Sequence, residues 1–343
     1  MSYKTALQLY ADPTPRTFTT GCTGLDSFLG GGMPLQGLTE ICGESGAGKT
    51  QLCLQLLLTA QRSIKQHGLN GKTLFLSCEG PFPIRRLQEM AKYVAKTEFK
   101  CSSSNVPTEI FDEKSPDPPS QNAIEKRSQE LVDNILISKI NDAEQLMDVM
   151  TVTLPMELRR GQVKLVIVDS ITAICRGHYE HTISGLSERA DVLISLASYM
   201  KQMSDRYSCA FVVVNQVSAC FQLGQKSCSS MASSFIHNGQ EPPPERPKPR
   251  KKRKGNNSEE IEHSQVVPLP KCTPALGITW TSCINTRIML TRGNENEDVD
   301  GFLRRREMRL LLSSKYTCGT LCHYHVTRSG VNRVSDEMLQ WNG

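Results

Sequence analysis

The sequence has no apolar run long enough to cross a bilayer. Runs such as Leu56-Leu57-Leu58 and Leu165 to Val168 fall far below the roughly 18 residues that a spanning helix needs. The N-terminus, MSYKTALQLYADP, has no apolar stretch of leader length, so no secretory signal is expected. There is no internal repeat, and no CxxC pair among the 13 cysteines. Scattered cysteines without a leader imply reduced, partly buried thiols in a cytosolic or nuclear protein, not a disulfide framework. A general excess of charge is also missing. The net charge of +5 comes from residues 246–254, RPKPRKKRK, with seven basic residues and no acid. Outside that run, 33 of the 40 Lys and Arg face 35 Asp and Glu. The body is nearly neutral and carries one basic patch. Apolar residues make up 38% of the 343, and 24 glycines bring the total into the range of globular proteins, which argues against wholesale disorder, collagen or coiled coil. The length suits one large α/β domain or two smaller ones.

The pattern along the chain alternates strands and helices. Strands are expected at Leu38–Cys42, Thr73–Cys78, Ile135–Ile140, Val163–Val168 and Ala210–Asn215. Helices are expected at Thr50–Ile64, from about Pro83 to Ala95, at Asp142–Leu158 and at Leu186–Arg206. Late strands, read as antiparallel, fall at Thr286–Leu290, Met308–Leu312 and Cys322–Val326. This is an α/β fold: a mostly parallel, twisted sheet flanked by helices on both faces. Residues 1–20 read as a short arm and 21–335 as the core. Two stretches interrupt the core. Residues 97–122 hold serines, prolines and mixed charge. Residues 218–272 hold Pro242-Pro243-Pro244, the basic run and Glu259-Glu260. Both read as mobile insertions, the second too polar to order itself.

Gly43-Glu44-Ser45-Gly46-Ala47-Gly48-Lys49-Thr50 matches GxxxxGK[ST] without a gap, between an expected strand and an expected helix. Glycines there let amides turn inward around phosphate oxygens, and the helix N-terminus adds partial positive charge. Lys49 would reach the β- and γ-phosphates, and the Thr50 hydroxyl would ligate Mg2+. Asp169 ends the buried strand Val163–Val168 and would hold the Mg2+ shell through water. Glu79 ends the strand before it. In a parallel sheet it shares the C-terminal edge with Gly43 and Asp169, where a carboxylate can orient or deprotonate water. It can equally be a helix-capping or solvent-facing acid. Asn215-Gln216 ends the next strand, either as a γ-phosphate sensor or as a plain polar pair.

Together these residues resemble the RecA-like recombinase superfamily. The signature runs through Leu25, Leu29-Gly30-Gly31-Gly32, Gly37–Ile41, Gly43–Thr50, Cys78-Glu79-Gly80, Val168-Asp169-Ser170 and Val214-Asn215-Gln216. The stretches Thr5–Leu9, Phe82–Gln88 and Pro274–Trp280 narrow the resemblance to a eukaryotic paralog of the strand-exchange recombinase. That resemblance implies a RecA-like P-loop ATPase core that uses ATP and Mg2+. The nucleotide contacts would fall on Gly43, Glu44, Ser45, Gly46, Ala47, Gly48, Lys49, Thr50, Gln51 and Asp169. Arg86 would pack over adenine. Glu79, Lys49 and Gln216 would serve hydrolysis. Two DNA-binding loops would fall at about 176–188 and 217–274, gripping phosphates without reading sequence.

The same resemblance implies a nuclear subunit of a hetero-oligomer with recombinase paralog C. It would act in homologous recombination repair of double-strand breaks. It would bind single-stranded, branched and Holliday-junction DNA, assist recombinase filaments and hydrolyse ATP weakly when DNA is present. The open alternatives are a non-hydrolysing subunit in which ATP stabilises an interface, and a hexameric helicase or motor, against which Pro274–Trp280 argues. Four departures from the family pattern stand out. The small helical N-terminal domain of many members is not seen ahead of the arm. Tyr3-Lys4-Thr5-Ala6 stands in place of a Phe-x-x-Ala docking motif, with Tyr3 and Ala6 as the docking residues. Thr182-Ile183-Ser184 replaces an arginine in the first loop. Ser313-Ser314-Lys315 replaces an Asp-Ser-Pro turn that closes a neighbour's ATP site. The basic residues Arg250, Lys251, Lys252, Arg253 and Lys254 are candidates for DNA contact, for a nuclear import signal, or for a merely solvated tract.

Overall fold

In the computed structural model, the described residues are Thr5, 7–8, 16–103, 120–175, 182–219, 272–293 and 306–334. The chain divides into two units, one of residues 1–218 and 274–343 and one of 219–273. Only Ala219, Cys272 and Thr273 of the second are described.

In chain order the strands are β1 (Thr17–Phe18), β2 (Met33–Pro34), β3 (Leu38–Gly43), β4 (Lys72–Ser77), β5 (Ile135–Lys139), β6 (Val163–Asp169) and β7 (Ala210–Asn215). They continue with β8 (Val217–Ala219), β9 (Cys272–Pro274), β10 (Thr286–Arg292), β11 (Arg306–Ser313), β12 (Leu321–Thr327) and β13 (Gly330–Arg333). The α-helices are α1 (Thr23–Phe28), α2 (Lys49–Thr59), α3 (Ile84–Ser103), α4 (Gln121–Asp133), α5 (Ala143–Asp148), α6 (Leu154–Arg159), α7 (Ile171–Cys175), α8 (Ile183–Tyr207) and α9 (Gly277–Cys283). Nine strands form one sheet in the order β13-β12-β11-β10-β3-β7-β6-β4-β5. The pairings from β10 through β3, β7, β6 and β4 to β5 are parallel, and those from β10 to β13 are antiparallel. The expected mostly parallel sheet with late antiparallel strands is therefore what forms.

Strand alternation divides the core in two. Leu165, Ile167, Val212 and Val214 face a layer built on α2, α3 and α4. Val166, Val168, Phe211 and Val213 face a layer built on α5 to α9. A central strand covered on both faces carries apolar side chains on both, which is why β6 and β7 read as unbroken apolar runs. Helix α2 is buried on every side from Leu52 to Thr59, so it has no polar face. Within that buried stretch the long polar residue, Gln55, is satisfied internally. The Gln55 amide donates to the Thr20 carbonyl at 2.7 Å and the Val331 carbonyl at 3.1 Å, and its carbonyl accepts from the Val331 N–H at 2.6 Å. This ties the N-terminal segment, α2 and β13 together. Gln55→Leu keeps the volume but strands these buried groups. It should cost about 2–3 kcal/mol in urea unfolding, since each unpaired buried polar group costs about 1–3 kcal/mol.

Several expected boundaries change. The stretch 97–122 is not wholly an insertion: α3 continues through Phe99, which packs on the core, and is described as far as Ser103. Ser120 then caps α4, accepting from the Ala123 N–H at 3.3 Å. The expected helix 142–158 contains a π-helical turn at Val149–Thr153, where the Thr151 hydroxyl donates to the Met147 carbonyl at 2.8 Å. The helix expected to reach Ile64 ends at Thr59, followed by a 3-10 turn at Ile64–Gln66. Helix α9 and strand β13 were not anticipated. No described helix is long and apolar enough to cross a membrane.

Candidate nucleotide site

The parallel strands end on one edge, and a cavity of about 920 Å³ opens there. Gly43, Ser45, Gly46, Gly48, Lys49, Thr50 and Gln51 line it from β3 and α2. Glu79, Asp169 and Gln216 line it from the ends of β4, β6 and β7. Gly43 has φ +154, and a Cβ there would lie 2.1 Å from the Leu290 carbonyl oxygen on β10. Only glycine lets the loop leave the strand so close to its neighbour.

The Lys49 ammonium folds back on its own loop, donating to the Gly43 carbonyl at 2.7 Å and the Glu44 carbonyl at 2.8 Å. Burial lowers its pKa, while Asp169 and Glu79 oppose that shift. The Thr50 hydroxyl donates to the Asp169 carboxylate at 2.9 Å. Burial raises the Asp169 pKa, Thr50 and Lys49 pull it down, and Glu79 pushes it up. A hydroxyl and a carboxylate oxygen side by side at the cavity wall suit a hard cation such as Mg2+. Among the described residues no group of three or more His, Cys, Asp or Glu could hold a metal by itself. A cation here would therefore draw further ligands from phosphate and water, as Mg2+ does.

The Gln216 side-chain amide donates to the Glu79 carboxylate. Arg86 also lines the cavity. Its guanidinium donates to the Gln51 side chain at 2.8 Å and to the Thr327 and Arg328 carbonyls at 2.5 and 3.1 Å. It also pairs with Glu89 at 3.2 Å. The Glu44 side chain pairs with Arg292, 3.4 Å away, and the Ala47 side chain is buried, so any phosphate contact from either residue would come through its backbone N–H. Tyr3, Ala6 and residues 250–254 lie outside the described residues. So do residues 176–181 of the first loop; the rest of it opens α8, with Thr182 capping the helix by accepting from the Gly185 N–H at 3.1 Å. In the turn after β11, Ser313 accepts from the Lys315 and Tyr316 N–H groups, each at 3.1 Å.

A buried network behind the cavity escaped the sequence reading. Glu40 on β3 is fully buried. Its carboxylate accepts from Asn215 at 2.7 Å, from the Trp280 indole at 2.7 Å and from Arg287. The Thr172 hydroxyl donates to the Asn215 side-chain oxygen Oδ1 at 2.6 Å and accepts from the Gln216 backbone N–H at 2.9 Å. The Ala275 N–H donates to the Gln216 carbonyl at 2.9 Å. Gln216 is thus fixed by its backbone to the start of α7 and to the segment leading into α9. An acid in an apolar strand was the only available signal, and its partners lie far away in sequence.

A phosphate-type loop opening α2, with acids and an amide presented by three other strand ends, defines a P-loop α/β protein of RecA-like architecture. The chain belongs to the Rad51 family, whose profile matches residues 16–106 and 122–236. It is 28% identical over 340 residues to the DNA repair protein XRCC3 homolog of Arabidopsis thaliana, covering 95% of this chain and 96% of that protein. It is 28% identical over 313 residues to DNA repair protein XRCC3 of Mus musculus, covering 91% and 73%. It is 32% identical over 209 residues to DNA repair protein RAD57 of Saccharomyces cerevisiae, covering 60% and 39%. The motifs that single out a recombinase paralog, of the X-ray repair cross-complementing three type, are borne out.

Proposed function

We propose that the chain is an ATP-binding recombinase paralog acting in homologous recombination repair of DNA double-strand breaks, with weak DNA-stimulated hydrolysis. One observation carries this reading: the phosphate loop, Glu79, Asp169 and Gln216 line a single cavity although they come from four strand ends. Lys49 leaves its loop carbonyls to meet phosphate oxygens. Thr50 and Asp169 hold the cation, the latter through water. Glu79 orients or deprotonates the attacking water, and Gln216, bonded to it, registers whether a γ-phosphate is present. Bound ATP with Mg2+ supplies the phosphoanhydride and the charge that neutralises it.

In this reading the protein works in the nucleus beside recombinase paralog C. It binds single-stranded and branched DNA, Holliday junctions included, through phosphates, and assists recombinase filaments. The basic run 250–254 contributes either phosphate contacts or import. One feature favours a second reading, in which ATP only stabilises a subunit interface. The turn after β11 offers Ser313, Ser314 and Lys315 and no carboxylate, and Ser313 is spent on the turn itself. Turnover of the purified chain with recombinase paralog C, with and without DNA, separates the two. Glu79→Gln should retain ATP binding and lose at least about tenfold in turnover, the low end of a general base's usual contribution of about 10²–10⁴ diminished by a slow basal rate. Equal turnover in wild type and Glu79→Gln removes the hydrolytic role. If the wild type does not turn over but still assembles with ATP, the interface reading stands.

A further inference from the structure

The phosphate loop is held from a side that its motif does not cover. Three side chains of the antiparallel strands reach it. Arg292 pairs with Glu44, and Arg306 donates to the Gly46 carbonyl at 3.4 Å. The Tyr324 hydroxyl donates to the Ala47 carbonyl at 2.5 Å. The two arginine contacts are exposed, whereas Tyr324 on β12 is fully buried. Val326, two residues on and on the same face of β12, lies beneath the loop's last glycine. A Cβ on Gly48 would come 3.2 Å from Val326 Cγ2 and 3.9 Å from Tyr324 Cε2. β12 is therefore the floor of the loop, and Tyr324 is its one hydroxyl hydrogen-bonded to that loop.

The Ala47 carbonyl and the Gly48 N–H belong to one planar trans peptide, so they point in opposite directions. A carbonyl turned down to Tyr324 sends the Gly48 N–H away from β12. Gly48 lines the cavity at φ +102, a conformation in which glycine is free to turn its peptide either way. Fixing that plane before a ligand arrives removes an ordering cost from binding. Burial pushes the Tyr324 phenol well above the usual tyrosine value, so it remains a donor at neutral pH.

We propose that Tyr324 is a positioning residue of the phosphate site, whose hydroxyl fixes the Ala47–Gly48 peptide with the Gly48 N–H preset toward phosphate. This rests on the nucleotide reading above. Tyr324 touches no phosphate and acts only through the peptide it holds. Any effect must therefore fall on ligands that carry the phosphate tail and spare those that lack it.

The test uses the full chain with Tyr324→Phe, which keeps the ring and removes the donor. ATP-Mg binding is measured by calorimetry, and adenosine binding by ligand-observed NMR, which reads millimolar affinities. The Kd for ATP-Mg should rise about five- to tenfold, as expected for a lost hydrogen bond, with adenosine unchanged. Tyr316→Phe is the control. It removes a matching phenol-to-carbonyl bond, Tyr316 to Gly30 at 2.7 Å, in the turn between β11 and β12. It should leave both affinities alone. The inference is overturned if Tyr324→Phe binds ATP-Mg like the wild type, if adenosine weakens in step, or if Tyr316→Phe weakens ATP-Mg equally. A wild-type chain that takes up no ATP overturns the nucleotide reading, and this inference with it, so the two failures are told apart in the wild type.

Discussion

Lys49→Ala should reduce ATP-Mg affinity by about a hundredfold or more, about 2.8 kcal/mol, since charge-assisted hydrogen bonds are the strong ones in a shielded cavity. The fold should survive. Among the described residues, Lys49 donates its hydrogen bonds to the Gly43 and Glu44 carbonyls, both beside an open cavity where water can replace it. Calorimetry measures the affinity, and circular dichroism with thermal melting checks the fold. Lys49→Arg should restore little. The guanidinium is a flat fork, whereas the site between the loop and Asp169 is shaped for a compact ammonium. A Lys49→Ala chain that binds ATP-Mg within threefold of wild type would mean that the loop holds something other than a triphosphate.

Glu40→Ala should be the most damaging single change to stability, at about 3–5 kcal/mol in urea unfolding. The loss leaves the buried Arg287 without its counter-charge, and the Trp280 indole and Asn215 amide without an acceptor. Glu89 offers the contrast, since it pairs with Arg86 on the surface and its own side chain is 63% exposed. Glu89→Ala should cost less than about 1 kcal/mol. Similar unfolding midpoints for the two variants would show that the network around Glu40 adds no stability. Because Asn215 precedes Gln216, a loosened network should also disturb the Gln216–Glu79 contact.

The residues legible from sequence share a physical property. Gly43 to Thr50 could be read because the loop's geometry is local: a position where a Cβ would come 2.1 Å from a neighbour's carbonyl oxygen admits only glycine and leaves its mark in the chain itself. Asp169, Glu79 and Gln216 could be read because parallel strands all end on one edge, so a polar residue after an apolar run has a known destination. Contacts set by sheet order could not be read. Tyr324 meets Ala47 across 277 residues, and a tyrosine on an amphipathic strand looks like ordinary core. Glu40 stood within the signature Gly37–Ile41 without a role of its own; its partners Arg287 and Asn215 come from β10 and β7, which flank β3 only in the folded sheet. Trp280 was noticed as part of a motif, but its hydrogen bond to Glu40 depends on α9, a helix too short to announce itself by periodicity. The extent of α3 was read too short: the helix expected to end near Ala95 runs at least to Ser103, through Phe99 on the core.

The central claim is that one cavity at the sheet edge takes a nucleotide tail between Lys49, Glu79, Asp169 and Gln216. A crystallographic or electron-microscopy map of the chain with a non-hydrolysable ATP analogue and Mg2+ examines it most directly. The account predicts the terminal phosphate beside the Lys49 ammonium, the cation beside Thr50, and Gln216 drawn off Glu79. A terminal phosphate lying away from those four side chains, or a cavity left empty at saturating analogue, would contradict it.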